Sequence, residues 1–159
     1  MSGRWLPRCL VLGLLGCGAG EPELTAAYRA AIADSVRQAW EAMMAGARAL
    51  NSDRIRAGYV AKPIVAINGV IVDSFERRSD STQQWLGSLR SFDATYDNVH
   101  LEVLAPDAVV ATMNHHLRWT DTTGAYGEWH SAWTAVFRRV EGGWKISYSH
   151  ESVTPAEPR

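Results

Sequence analysis

Two histidines lie where a protein could use them for proton transfer. His115 and His150 fall on the apolar side of segments in which apolar and polar residues alternate, which is the pattern of half-buried β-strands. An imidazole in an apolar cavity stays uncharged near neutral pH, because burial disfavours the charged form. Either ring could then act as a general acid or base. Each could equally be a core histidine whose hydrogen-bond partner is Tyr148, a serine or the backbone.

The same alternation gives no support for a metal centre. His115 and His116 are neighbours in sequence, so they point to opposite faces of a strand and cannot both bind one ion. Glu102, Glu128 and Glu151 all fall on polar faces of the predicted strands. Two histidines without an inward carboxylate suit zinc poorly. The sequence therefore predicts neither a metal site nor a cofactor.

Aromatic residues are numerous, with seven Trp and five Tyr in 159 residues. Aromatic side chains on a concave surface are typical of pockets for apolar ligands. The pattern predicts a pocket lined by Trp40, Trp133 and Tyr148 together with His115 and His150. A tryptophan-rich core without a pocket is the alternative that the same composition allows.

The elements that must position these residues begin with helices. Apolar residues recur at helical spacing in the first half of the chain, and capping and turn residues interrupt them. The apolar spacing and the capping and turn residues together predict a long amphipathic helix over about 23–50 and a short helix from 51 to near 58. A tight hairpin at Asn68-Gly69 follows, and then a third helix that begins near 74 and whose apolar face continues to Phe92.

From residue 95 onward the apolar period switches to two, which predicts long strands. A two-residue loop at Gly142-Gly143 would pair Phe137 with Tyr148 and Ala135 with His150, so that every inward residue meets another inward residue. Helices followed by long antiparallel strands predict an α+β domain, with three helices packed on one face of a curved antiparallel sheet.

The amino terminus predicts export. Arg4 and Arg8 precede a short apolar run, as in a secretory signal, and Leu14-Leu15-Gly16-Cys17 resembles a bacterial lipobox. That resemblance implies a signal peptide over 1–16, cleavage before Cys17, and lipid on Cys17 as an anchor to the bacterial cell envelope. Cys9 would leave with the signal, so the mature domain would hold no free thiol.

The remaining boundaries follow from composition. Residues 17–22 form a glycine-rich tether, 23–153 a single domain, and 154–159 a disordered tail. A formal net charge of -1 without a basic run argues against a nucleic-acid partner.

The predicted elements, with Trp40 in the first helix, the Asn68-Gly69 hairpin and the closing Gly-Gly-Trp-Lys-Ile-Ser-Tyr-Ser-His-Glu-Ser, resemble the NTF2-like superfamily, and within it the SnoaL-like and DUF4440-type domains. The resemblance implies a cone in which a bent sheet wraps around helices and a pocket opens between them. Members include ketosteroid isomerases, polyketide cyclases, dehydratases and epoxide hydrolases, as well as proteins that only bind partners. The isomerase and epoxide hydrolase types need an inward carboxylate, so a dehydratase or cyclase using histidine and tyrosine fits the predicted strands better.

Three functions follow from these observations. The first is a membrane-anchored domain that binds a small, mostly apolar ligand. The second is a lyase or isomerase in which His150 or His115 is the acid or base. The third is an envelope interaction module, such as a homodimer, whose convex sheet face docks another subunit.

Overall fold

The computed structural model describes residues 24–72 and 74–155. The predicted signal peptide (1–16), Cys17, the tether to residue 22 and the last residues of the predicted tail (156–159) lie outside the described residues. Among the residues that are described, no helix is both long and apolar enough to cross a membrane.

Three helices in the described part begin at capping residues. They are α1 (Ala26–Arg48), α2 (Ser52–Ala57) and α3 (Phe75–Gly87). Each starts after a side chain that accepts a hydrogen bond from the N–H of the third helical residue, and these N-caps are Thr25, Asn51 and Ser74. The predicted starts of the second and third helices are confirmed.

The strands form one six-stranded sheet in the order β2-β1-β6-β5-β4-β3. They are β1 (Tyr59–Ile67), β2 (Val70–Ile71), β3 (Leu89–Ala105), β4 (Ala108–Asp121), β5 (Tyr126–Val140) and β6 (Gly143–Pro155). All neighbours are antiparallel except β1 and β6, which are parallel. The sheet is therefore mixed, and the prediction of an antiparallel sheet is wrong at this one pair. The chain passes through α3 and four strands, β2 to β5, before β6 returns beside β1 in the same direction.

The third helix is shorter than predicted. Ser88 ends it, because its hydroxyl donates to the Trp85 carbonyl at 2.7 Å and its N–H bonds the same carbonyl at 2.9 Å. Leu89 and Phe92 then lie in β3, where they pair with residues of β4. The strand thus takes over residues whose spacing also fits a helix.

The core lies between α1 and the inner face of the sheet. The predicted stripe of α1 is confirmed, since its buried residues include Ile32, Val36, Trp40, Met43 and Ala47. The sheet contributes inward residues of β3, β4, β5 and β6, among them Val109, Ala111, Met113, Ala135, Phe137 and Ile146. Full burial of such an aliphatic side chain stabilises the fold by roughly 1.5–3 kcal/mol.

A β-bulge in β6 reverses the predicted faces of its second half. The two-residue loop lies one residue earlier than predicted, because Val140 pairs with Gly143 and the loop is Glu141-Gly142. Gly142 and Gly143 have φ of 88° and 115°, which favour glycine. Phe137 pairs with Ile146, but Val136 pairs with Tyr148, so Ser147 is an extra residue in β6.

Beyond the bulge, Ser149 and Glu151 face inward, while Tyr148 and His150 face outward. Trp133 pairs with Glu151, and Thr134 pairs with His150. The predicted pairs Phe137 with Tyr148 and Ala135 with His150 are therefore wrong. The strand also runs on to Pro155, past the predicted end of the domain at 153.

Candidate active site

A cavity of ≈ 160 Å³ lies between α2, α3, β1 and the inner face of β5 and β6. Its walls include the side chains of Tyr59, Phe75, Arg78, Trp133, Ser149 and Glu151. Pockets for drug-sized ligands usually measure about 300–1,000 Å³. This cavity therefore fits a smaller molecule.

Glu151 is the inward carboxylate that the predicted alternation did not show. Its side chain is 20% exposed and reaches the cavity from β6. The Ser131 hydroxyl donates to Oε1 at 2.7 Å, and His115 Nδ1 lies 3.6 Å from the same oxygen. No described residue donates a hydrogen bond to Oε2. One carboxylate oxygen is thus held by the protein, and the other remains available to a ligand.

The surroundings of Glu151 keep its carboxylate ionised. Burial alone would raise the pKa of Glu151, but interactions with His115 and Ser131 and the charge of Arg78 outweigh it, so the pKa lies below the ordinary value of 4.5. Because the folded-state pKa is depressed, this group stabilises the fold above its ordinary pKa, and the contribution is lost as pH falls through the folded-state value.

His115 lies behind the cavity rather than in its wall. It is 4% exposed, as the prediction of an inward face requires. Its ring is nearly parallel to that of Trp40, with centroids 5.3 Å apart, and stacks on Trp133 at 5.4 Å. Nε2 is buried without a hydrogen-bond partner, so Nδ1 is the nitrogen directed to Glu151. His115 is placed to orient Glu151 and not to touch a ligand.

Tyr59 supplies a neutral phenol to the same cavity. Burial raises the pKa of Tyr59, the Ser149 hydroxyl and the charge of Arg78 oppose that rise, and the charge of Glu151 adds to it. The net pKa is raised, so the phenol keeps its proton at neutral pH. Its ring packs on Phe75 with centroids 5.0 Å apart, which fixes its position at the start of β1.

The other predicted pocket residues are divided between two places. Trp133 lines the cavity, and Trp40 packs against it with ring centroids 4.5 Å apart. Tyr148 and His150 are half-buried on the opposite face, where they pair with Val136 and Thr134 and do not line the cavity. The bulge at Ser147 is the physical reason for this correction.

The convex face carries His116 of β4 and His130 of β5, which pair with each other on the side of the sheet opposite to His115. Their Nδ1 atoms are 2.6 Å apart, and His116 Nε2 lies 3.0 Å from Asp97 Oδ2. Asp97 therefore bonds the outer nitrogen of His116 and does not converge with the two Nδ1 atoms. Within 24–72 and 74–155, no three His, Cys, Asp or Glu side chains are grouped so that they could hold a metal ion.

Replacing Ser131 with Ala is expected to raise the pKa of Glu151. The substitution removes the hydroxyl that donates to Oε1, whereas the burial that opposes ionisation remains. The carboxyl ¹³C shift of Glu151, followed through a pH titration, measures the change. Ser152→Ala is the matched control. Ser152 follows Glu151 in β6 and is exposed on the opposite face of that strand. Equal titration curves for wild type and Ser131→Ala would contradict the role of Ser131.

A curved six-stranded sheet wrapped on helices, with a cavity where the helices meet the sheet, defines an α+β domain of the NTF2-like class. The chain belongs to the SnoaL-like domain family, whose model matches residues 25–157. No curated protein sequence matches the chain significantly.

Several solved structures share the fold. A protein from Streptomyces avermitilis, assigned as a dehydratase of the NTF2-like family, is 16% identical, with 81% of this chain and 99% of that chain covered and a TM-score of 0.68. The hexachlorocyclohexane dehydrochlorinase LinA-type3 from Novosphingobium barchaimii is 15% identical, with 85% and 97% covered and a TM-score of 0.67. A protein from Xanthomonas campestris, assigned as a calcium/calmodulin-dependent protein kinase II association domain, is 17% identical, with 77% and 87% covered and a TM-score of 0.65. At these identities the likeness shows the fold.

Proposed function

We propose that this SnoaL-like domain is a lyase or isomerase that removes a proton from a small, mostly apolar substrate bound in the cavity. The observation that carries the proposal is Glu151, a largely buried carboxylate that remains ionised at the wall of a partly open cavity. A base in such a place is poorly hydrated and is held in one position by Ser131 and His115. The dehydratase and dehydrochlorinase among the structural neighbours support elimination chemistry.

Residues of the cavity supply both the base and the acid of the proposed step. Glu151 Oε2 takes a proton from a substrate carbon, and the electron pair of that C–H bond forms a carbon–carbon double bond. In an elimination, the group on the adjacent carbon leaves with its bonding electrons, and the Tyr59 phenol protonates it when it is an oxygen. In an isomerisation of an unsaturated substrate, the π electrons of the existing double bond shift to its far carbon, and that carbon takes the proton back from Glu151. His115 acts as a positioning residue, because it reaches Glu151 but not the cavity.

Ring opening of 5-nitrobenzisoxazole tests this proposal without knowledge of the natural substrate. A base removes the proton on C3, the N–O bond breaks, and the product is a coloured phenolate. The protein is expected to open the ring faster than the same concentration of acetate, because its carboxylate is positioned and partly dehydrated. A rate equal to that of acetate would contradict the enzyme proposal and favour a domain that only binds a ligand.

We also propose a lipid anchor on Cys17, the resulting location on the bacterial cell envelope and a DUF4440-type subgroup. The Leu14-Leu15-Gly16-Cys17 pattern supports the anchor. Cys17→Ser is expected to release the protein from the membrane fraction of its bacterial host, and unchanged partitioning would contradict the anchor.

A homodimer through the convex face is also proposed, and sedimentation of the domain as a monomer would exclude it.

A further inference from the structure

Two arginines lie at the mouth of the cavity that holds Glu151. Arg56 projects from α2 and Arg78 from α3, and both residues line the cavity and are exposed to solvent. In 24–72 and 74–155, neither guanidinium group forms a hydrogen bond or an ion pair with another side chain. Two cations that line one cavity, and that no described side chain bonds, can therefore bind a ligand without first breaking a hydrogen bond or an ion pair.

The charges of the cavity wall do not cancel. The wall contains two guanidinium groups, Arg56 and Arg78, and one carboxylate, Glu151, which leaves one positive charge. A ligand with one negative charge would make the cavity neutral. A phosphate monoester carries about -1.5 to -2 charges at pH 7, more than this excess, and it would also be repelled by Glu151.

The field of Arg78 reaches the inner end of the cavity. Its charge lowers the pKa of Glu151 and opposes the rise in the pKa of Tyr59, so it lies close enough to influence both groups. A negative group bound to Arg78 would therefore lie within reach of the same groups. Guanidinium and carboxylate groups match in geometry, since two parallel N–H donors face two oxygens.

We propose that the ligand of this cavity is a small monocarboxylic acid whose carboxylate binds Arg56 and Arg78 at the mouth while its apolar part extends towards Trp133 and Glu151. This inference rests on the proposed function for the role of Glu151, but its test measures binding alone.

The test compares benzoate with benzamide, which has nearly the same shape and no charge. Titration of the folded domain with each compound, followed by the indole N–H resonances, gives two dissociation constants at low ionic strength. Wild type is expected to bind benzoate about tenfold more tightly than benzamide. Arg56→Gln with Arg78→Gln is expected to abolish that preference, whereas Arg90→Gln, an exposed arginine of β3, should preserve it.

Glu151→Gln is expected to change the affinity for benzoate in the opposite direction. It removes the one negative charge of the wall, so benzoate is expected to bind more tightly and benzamide unchanged. Equal binding of the two compounds by wild type, no benzoate binding at millimolar concentration, or a preference that survives the double substitution would overturn the inference. Selective benzoate binding without ring opening of 5-nitrobenzisoxazole would remove the enzyme proposal and leave this inference standing. Ring opening without selective benzoate binding would overturn this inference and leave the enzyme proposal standing.

Discussion

Glu151→Gln is expected to lower the rate of 5-nitrobenzisoxazole ring opening by about 10²–10⁴-fold, the usual contribution of a positioned general base. The amide has nearly the same shape as the carboxylate and can still bond Ser131, but it cannot take a proton. Absorbance of the phenolate product measures kcat/KM, and circular dichroism verifies that the variant is folded. A rate close to that of wild type would show that Glu151 is not the base.

The matched controls separate Glu151 from its neighbours. His150→Gln changes the adjacent residue, which lies on the other face of β6 and pairs with Thr134. Glu102→Gln removes an exposed carboxylate from β3. Both variants are expected to retain the wild-type rate. A loss in His150→Gln that equals the loss in Glu151→Gln would contradict the register of β6 and restore His150 as the candidate base.

Trp40→Ala is expected to reduce the free energy of unfolding by about 3–5 kcal/mol, the range for truncation of a buried aromatic side chain. Trp40 is 4% exposed and packs against Trp133, His115 and Tyr96, so its removal opens a cavity at the centre of the α1 interface. Denaturation by urea at neutral pH measures the change.

An exposed apolar residue provides the control for Trp40. Leu104 is 53% exposed, so Leu104→Ala is expected to change stability by no more than about 0.5 kcal/mol. Trp40→Phe keeps part of the packing and should lose less than Trp40→Ala. A loss below about 1 kcal/mol in Trp40→Ala would show that the ring stack does not support α1.

Much of the fold could be predicted because its signals are local. The stripe from Ile32 to Ala47 has the spacing of a helix, and the helix buries that stripe. Asn51 and Ser74 are caps in the sequence and in the structure. Asn68 and Gly69 both have positive φ, as the predicted hairpin turn requires. Each signal depends on a few consecutive residues and on no distant partner.

The candidate base could not be predicted in the same way, because one extra residue decides its direction. Without the bulge at Ser147, the alternation that buries Trp144 and Ile146 would carry His150 inward and Glu151 outward. A bulge leaves no reliable mark in the sequence. The available signal for an inward Glu151 was Val153. This apolar residue is two positions from Glu151 and four from Ser149, so it lies on their face of the strand, and it is partly buried opposite Ser131.

The other walls of the cavity depend on tertiary contacts. Tyr59 comes just after α2 and Arg78 lies on an exposed face of α3, and nothing in their local patterns connects them. The parallel pairing of β1 with β6 brings Tyr59 opposite Ile146 and Ile67 opposite Glu151. This pairing joins segments far apart in the chain, so it sets the composition of the site without leaving a periodic signal.

The pH dependence of 5-nitrobenzisoxazole ring opening by the wild-type protein tests the assignment of the base most directly. A base must be deprotonated, and the pKa of Glu151 is depressed, so kcat/KM is expected to stay constant as pH falls from 8 to about 5 and to decrease only below the ordinary glutamate value of 4.5. Circular dichroism at each pH confirms that the protein stays folded. A decrease through about pH 6.5, the ordinary pKa of histidine, would assign the base to a histidine and contradict the role of Glu151.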